Sequence, residues 1–341
     1  MQPYLRGLVA LALAAALIAL SGSVAQARPD GEKAKPRVVY LTDVNGCADS
    51  FVRLLCDGFI SAARRTGVEG RIVTPTVREN LVDTLNLVAK QRYDLVIGFG
   101  IVGLPEAMGV VAPRHPQVRF AILDRSHEQV PGRPRNVHGV IFRTSEAAYL
   151  AGWLAGRVEQ RRRGRDVVGV VGGVRIPAVV DFVIGFTAGV RSASRRTTVL
   201  TAYSNDFVDK TKCEAIARSQ IARGAGVVFN VAGACGLAAL EAAEERRIWG
   251  IGVDTDQSFL GPHILTSVVK RFDLGFLALL RRVKAGELLR RGNTVLTLRD
   301  GAVGLGKISP KIPASLRAGV DRLERRIVSG EIRVPGAYPS P

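Results

Sequence analysis

Two acids and a base punctuate the stretch from Ile248 to Lys270. Ile-Trp-Gly-Ile-Gly-Val ends on Asp254, a loop carries a second acid at Asp256, and Ile-Leu-Thr-Ser-Val-Val ends on Lys270. Short apolar runs of this kind read as buried strands, so Asp254 and Lys270 each stand at a strand end. In open α/β sheets those ends face the crevice in which small ligands bind. A carboxylate and an ammonium there can hold a polar solute, but covalent chemistry needs partners that the sequence does not offer. No G-x-S-x-G elbow occurs and no Ser, His and Asp grouping is readable. Gly301 to Lys307 has phosphate-loop spacing, yet Ile308 occupies the position that must be Ser or Thr to ligate magnesium. The first strand runs into Asp43-Val-Asn-Gly-Cys rather than G-x-G-x-x-G, which removes the dinucleotide fingerprint. His115, His127, His138 and His263 do not group at metal-ligand spacing. Neither a metal nor a cofactor is expected, and the chain does not read as an enzyme.

The elements that would position Asp254 and Lys270 follow a repeating order of short β-branched run, turn and longer helical stretch. Strands are predicted at 38–42, 71–74, 94–98, 118–123, 137–142, 167–171, 198–201, 227–231 and 249–253. Helices are predicted at 51–65, 81–91, 146–160, 209–223 and 237–247. Such alternation gives parallel sheets with helices on both faces. The Pro-, Gly- and Arg-rich text between Leu123 and Phe142 breaks the pattern, and a first crossing between domains is expected at Phe142 to Thr144. The predicted fold is α/β with two doubly wound parallel-sheet lobes joined by a multi-segment hinge. Residues 37–143 and 254–290 are assigned to lobe 1, and residues 144–253 and 291–335 to lobe 2.

Met1 to Arg6 carries one positive charge, Gly7 to Leu20 is uncharged, and Ala25-Gln26-Ala27 follows. This is the order of a secretory signal, with cleavage expected after Ala27 and a disordered leader over 28–36. No cysteine stands near that site to carry a lipid anchor. A soluble product in the periplasm or cell exterior is expected. The chain of 341 residues exceeds what one core covers. Its formal charge of +18 invites a nucleic-acid reading. The arginines, however, come as scattered pairs (such as Arg64-Arg65, Arg281-Arg282 and Arg325-Arg326), mostly where helices are predicted to end and where the helix dipole favours cations. The Arg161-Arg162-Arg163 knot has no interleaved aromatics, so no nucleic-acid partner is expected.

Four cysteines in an exported chain allow disulfides. Cys213 falls in the first turn of a predicted helix and Cys235 just past the following strand, which puts both at one sheet edge and predicts a bond. Cys47 and Cys56 would lie too far apart on one helix, so their pairing requires Cys47 to fold back from the loop; this pair is left open.

Several blocks together resemble one family. They are Thr42-Asp-Val-Asn-Gly-Cys-Ala-Asp-Ser-Phe51, Glu146-Ala-Ala-Tyr-Leu-Ala-Gly152, Phe182-Val-Ile-Gly-Phe-Thr-Ala-Gly189, Tyr203-Ser-Asn-Asp-Phe-Val-Asp209, Val231-Ala-Gly233 and Gly252-Val-Asp-Thr-Asp-Gln257. In this order they are similar to the basic membrane protein family, substrate-binding proteins of ABC importers of the purine nucleoside receptor type. The resemblance implies the periplasmic binding protein type I fold and a nucleoside held between two rings, Phe51 and Phe207. It implies that Asp124 and Asp254 meet the ribose hydroxyls, that Gly233 lines the base and that Lys270 closes the site, with Asp43 a further candidate. The first block departs from the family's usual text: one residue is missing after Asp49, and Val52 stands where an Asn amide would read the base edge. Another flat or polyhydroxylated solute therefore stays open as ligand. The expected partners are a small molecule and a membrane permease, with the receptor itself a monomer. A sensor of the same fold that signals to a membrane partner is the alternative.

Overall fold

Alternation within single strands decides which residues face which helices. In β1 (Arg37–Leu41), Val38 and Tyr40 join one buried cluster while Val39 and Leu41 join another. That is the period of two expected of a strand buried on both faces. The computed structural model describes residues 35–42, 46–75, 81–100, 103–164, 166–287 and 289–338. The expected signal peptide, most of the leader and Asp43 lie outside the described residues.

After β1 the chain forms α1 (Ser50–Thr66), β2 (Glu69–Val73), α2 (Leu81–Lys90), β3 (Leu95–Phe99), α3 (Leu104–Val111), β4 (Phe120–Leu123) and β5 (Val137–Phe142). The second lobe follows with α4 (Thr144–Glu159), β6 (Val167–Gly172), α5 (Pro177–Ala193), β7 (Thr198–Tyr203), α6 (Lys210–Ala222), β8 (Ala225–Val231), α7 (Leu237–Glu245), β9 (Trp249–Asp254) and β10 (Ile264–Lys270). Then α8 (Phe272–Lys284) and β11 (Gly292–Leu296) return to the first lobe, before β12 (Val303–Leu305) and α9 (Ala314–Val328) complete the second. The sheets have the orders β11-β5-β4-β3-β1-β2 and β12-β10-β9-β8-β6-β7. Every named strand pair is parallel except β10 with β12.

The later lobe boundaries differ from those expected at 254 and 291. Rather than returning to lobe 1, the chain after Asp254 turns back through 255–263 with one short 3-10 turn, and β10 pairs in parallel with β9, Val268 opposite Val253. A parallel return normally carries a helix; its absence made the end of β9 look like an exit. Conversely β11 pairs with β5, Val295 opposite Ile141, and so belongs to lobe 1. The crossings are therefore at 142–144, at 270–272 and at 297–302. They are bonded to one another: Arg143 donates its N–H to Leu296 O at 2.8 Å, and Arg271 donates to Ala302 O at 2.8 Å. Glu146 Oε2 accepts from Leu298 N at 2.8 Å. The C-terminal tail joins the same junction, where Arg143 Nη2 donates to Val334 O at 3.0 Å and Ala337 N to Asp181 Oδ1 at 2.7 Å.

Helices α4 and α5 pack at very close range. A Cβ at Gly152 would overlap the Phe186 backbone, one at Gly185 that of Ser145, and one at Gly189 that of Tyr149. The Glu146–Gly152 and Phe182–Gly189 blocks are thus in large part a helix–helix contact. The paired arginines fall as expected in the last turns of α1, α8 and α9. Arg162 is tied to Glu159 and to the carbonyl of Gly224.

Candidate functional site

Lys270, the last residue of β10, is buried to 5 % exposure where the two sheets meet. Its Nζ donates to Asp124 Oδ2 at 2.8 Å and lies 3.8 Å from Asp254 Oδ1. Asp124 follows β4 in lobe 1, whereas Asp254 ends β9 in lobe 2. One ammonium therefore joins the carboxyl ends of both sheets. Burial pulls the Lys270 pKa down, but Asp124 and Asp254 outweigh it and the pKa is raised, so the group is charged. Burial pushes the Asp254 carboxyl up, with Lys270 opposing and Asp124 reinforcing the shift. The ammonium also faces aromatic rings, 5.0 Å from the Phe182 centroid, 5.3 Å from Phe272 and 5.9 Å from Phe142, within cation–π range.

Both acids leave their strands in the left-handed region, at φ 62° for Asp124 and 65° for Asp254. Side chains other than Gly, Asn and Asp rarely adopt this conformation.

In lobe 1, Phe51 stands in the first turn of α1. Asp49 caps that helix and accepts from Phe51 N at 2.9 Å and Val52 N at 3.0 Å. The half-buried Phe51 ring meets Phe99 and Phe272 edge-on, with centroids at 5.5 and 5.7 Å. Val52 turns into the core at 6 % exposure. In lobe 2, Phe207 lies beyond β7 in a loop folded by Asp206, whose carboxylate accepts from Val208 N at 2.8 Å and Asp209 N at 3.1 Å. Those donors and Lys212 hold its carboxyl far below the usual range. The Phe207 ring is seated over Gly173, where any Cβ would overlap it, and Gly233 borders it at φ 57°.

Both cysteine pairs are bonded. Cys213 and Cys235 have Cα atoms 5.6 Å apart, and Cys47 with Cys56 6.0 Å. The second pair forms because Cys47 sits in a 3-10 turn, Gly46–Ala48, which folds back over α1.

Among the predicted residues, Asp124 and Asp254 both meet Lys270, Phe207 and Gly233 adjoin, and Phe51 is linked to Lys270 through Phe272. Asp43 lies outside the described residues. Sequence reasoning missed Phe99, Phe142, Phe182 and Phe272. Phe99 ends a strand and Phe272 follows Lys270 by two, so the strand-end rule that found Asp254 and Lys270 also reaches both. Gly173, the seat of Phe207, was missed as well. Tyr338 was also missed: burial raises its pKa, with Asp124 and Asp181 adding to the rise.

The chain has relatives. Residues 37–337 match the family described as Bmp, ABC transporter substrate-binding protein PnrA-like. The "CD4+ T-cell-stimulating antigen" of Listeria monocytogenes is 30% identical over 321 residues, covering 87% of each chain. The "ABC transporter nucleoside-binding protein BmpA" of Lactococcus lactis is 26% identical over 352 residues, covering 96% of this chain and 97% of its own. Among solved structures, an ABC transporter solute-binding protein from Aeropyrum pernix superposes with a TM-score of 0.74 at 24% identity, over 88% of this chain and 94% of its own. It shares the two-lobed solute-binding fold. With its family match spanning nearly all the described residues, this chain belongs to the Bmp family of PnrA-like ABC transporter substrate-binding proteins.

Proposed function

We propose that this protein is the exported receptor of an ABC importer and closes its lobes on a nucleoside, which it delivers to a membrane permease. The observation that carries the reading is the pairing of unlike surfaces across the sheet edges. Phe51 in lobe 1 and Phe207 in lobe 2 are half-buried rings at the carboxyl ends of different sheets, and between the sheets stand Asp124 and Asp254 around Lys270. A base offers two flat faces to rings and a ribose offers hydroxyl donors to carboxylates, whose charge-assisted bonds are shorter and stronger than neutral ones. Because the two rings belong to different lobes, a ligand stacked between them has its full contacts only when the lobes are closed, and that difference shifts the hinge. The Lactococcus relative's name as a nucleoside-binding protein supports the same ligand class. Val52, buried in the core, brings no polar atom to the base edge, so stacking rather than edge reading carries base recognition here.

Isothermal calorimetry of the protein against purine and pyrimidine nucleosides, free bases, pentoses and amino acids tests this. A purine nucleoside is expected to bind one to one. Phe207→Ala should weaken it by about 1–3 kcal/mol, or about 5- to 150-fold, and Asp254→Ala by at least as much. An amino acid that binds tightly while every nucleoside is silent would overturn the reading.

A further inference from the structure

Both disulfides lie at the proposed ligand rim, one in each lobe. Neither joins the two lobes. Cys47–Cys56 spans nine residues and encloses Asp49, the cap of α1, together with Phe51. Cys213–Cys235 spans 22 residues and links the first turn of α6 to the turn between β8 and α7. Cys235 in turn donates its backbone N–H to Phe207 O at 2.9 Å. The loop that carries Phe207 is thus held from three sides: by Gly173 under the ring, by Cys235 at its carbonyl, and by the Asp206 turn. Cys213 and Cys235 are fully buried, as is Cys56 at 1 % exposure.

We infer that each disulfide is a positioning brace for the aromatic platform of its own lobe, fixing Phe51 or Phe207 in the orientation that stacks on a base. This rests on the proposed reading of the two rings as ligand platforms. Phe207 lies on a connecting segment, the mobile part of an α/β edge, and Phe51 in the first turn of α1, where helix ends fray. A ring that samples several orientations must be ordered when ligand arrives, and that cost comes out of affinity; a cross-link beside the ring removes it beforehand. The Cys47–Cys56 bond fixes the entry into α1 on which Phe51 rides. The Cys213–Cys235 bond fixes the donor that anchors the Phe207 backbone. Each brace acts on flat ligands only, because the ring it holds offers a face and no hydrogen bond.

The test replaces each pair separately, as Cys47→Ala/Cys56→Ala and Cys213→Ala/Cys235→Ala, and measures binding of a purine nucleoside and of free D-ribose well below the melting temperature. Each pair should weaken the nucleoside about 3- to 30-fold and leave ribose unchanged. Phe207→Ala should cost less in the Cys213/Cys235 background than in the parent and the same as in the parent in the Cys47/Cys56 background, because only neighbours couple. A lower melting temperature with unaltered nucleoside affinity overturns the inference and leaves the ligand reading intact. A parent that binds no nucleoside removes the ligand reading itself. Fluorine spectra of fluorophenylalanine-labelled protein test the brace without ligand: the Phe207 line should broaden only in the Cys213/Cys235 variant and the Phe51 line only in the other, and unchanged lines would overturn it. Should a double alanine variant fail to fold, the volume-keeping pair Cys213→Ala/Cys235→Val serves for the same measurements.

Discussion

Lys270 holds three obligations at once: it is buried, it compensates two carboxylates, and it faces three rings. Lys270→Met keeps the apolar stem but leaves Asp124 and Asp254 without their cation. Removing one partner of a buried ion pair costs about 3–5 kcal/mol, and chemical denaturation should show a loss of that order at pH 7. The loss depends on pH with a definite sign. Burial already raises the Asp254 pKa and Lys270 opposes that rise, so the variant raises it further. A carboxyl whose folded pKa lies above its unfolded value favours the fold below the unfolded pKa, about 3.9, and that contribution is lost as pH rises through the folded pKa. The variant's deficit should therefore shrink between pH 7 and pH 4; a deficit that grows toward pH 4 would refute this account. Asp254 and Lys270 were readable because strand ends can be read from apolar runs, whereas Asp124 came only through the family resemblance. Phe272, two residues past Lys270, was within reach of the strand-end rule, but the approach of Phe142 and Phe182 to the ammonium was not, because those rings come from other elements whose meeting is set by tertiary packing.

At the scale of elements, strand and helix periods carried most of the fold. The 137–142 strand matches β5 residue for residue, and the other eight predicted strands lie within a few residues of β1–β4 and β6–β9. What sequence periodicity could not carry was partnership. A parallel return without a helix, as between β9 and β10, leaves no helical signal, and β11 shows its lobe only through the strand it pairs with. Helices α4 and α5 make a related point about motif text. Their glycines mark closeness of approach rather than a site, which predicts that Gly185→Ala, by forcing a methyl against the Ser145 backbone, will cost about 1–3 kcal/mol as overpacking does. Urea unfolding should register that loss while nucleoside stoichiometry stays at one to one. A neutral result would mean that the two helices can move apart freely.

For the whole molecule, the interleaved order of strands matters more than any single contact. Lobe 1 takes its last helix and its edge strand from 272–296, after the whole of the second lobe's parallel strands have been made. Phe276 of that helix packs on Tyr40 and Phe59, with centroids at 5.0 and 5.5 Å. A fragment ending at residue 143 should accordingly show no cooperative thermal transition by circular dichroism, and joining 272–296 to it through a flexible linker should restore one. The interleaving also has a consequence in time. Until β11 has been made neither sheet owns all its strands, and β5 keeps an unpaired edge. The nascent polypeptide thus has both lobes begun before either is finished, a partly folded state with exposed apolar surface and strand edges of the kind that chaperones hold. Native architecture sets in only once residues 272–296 are free to pair with the first lobe.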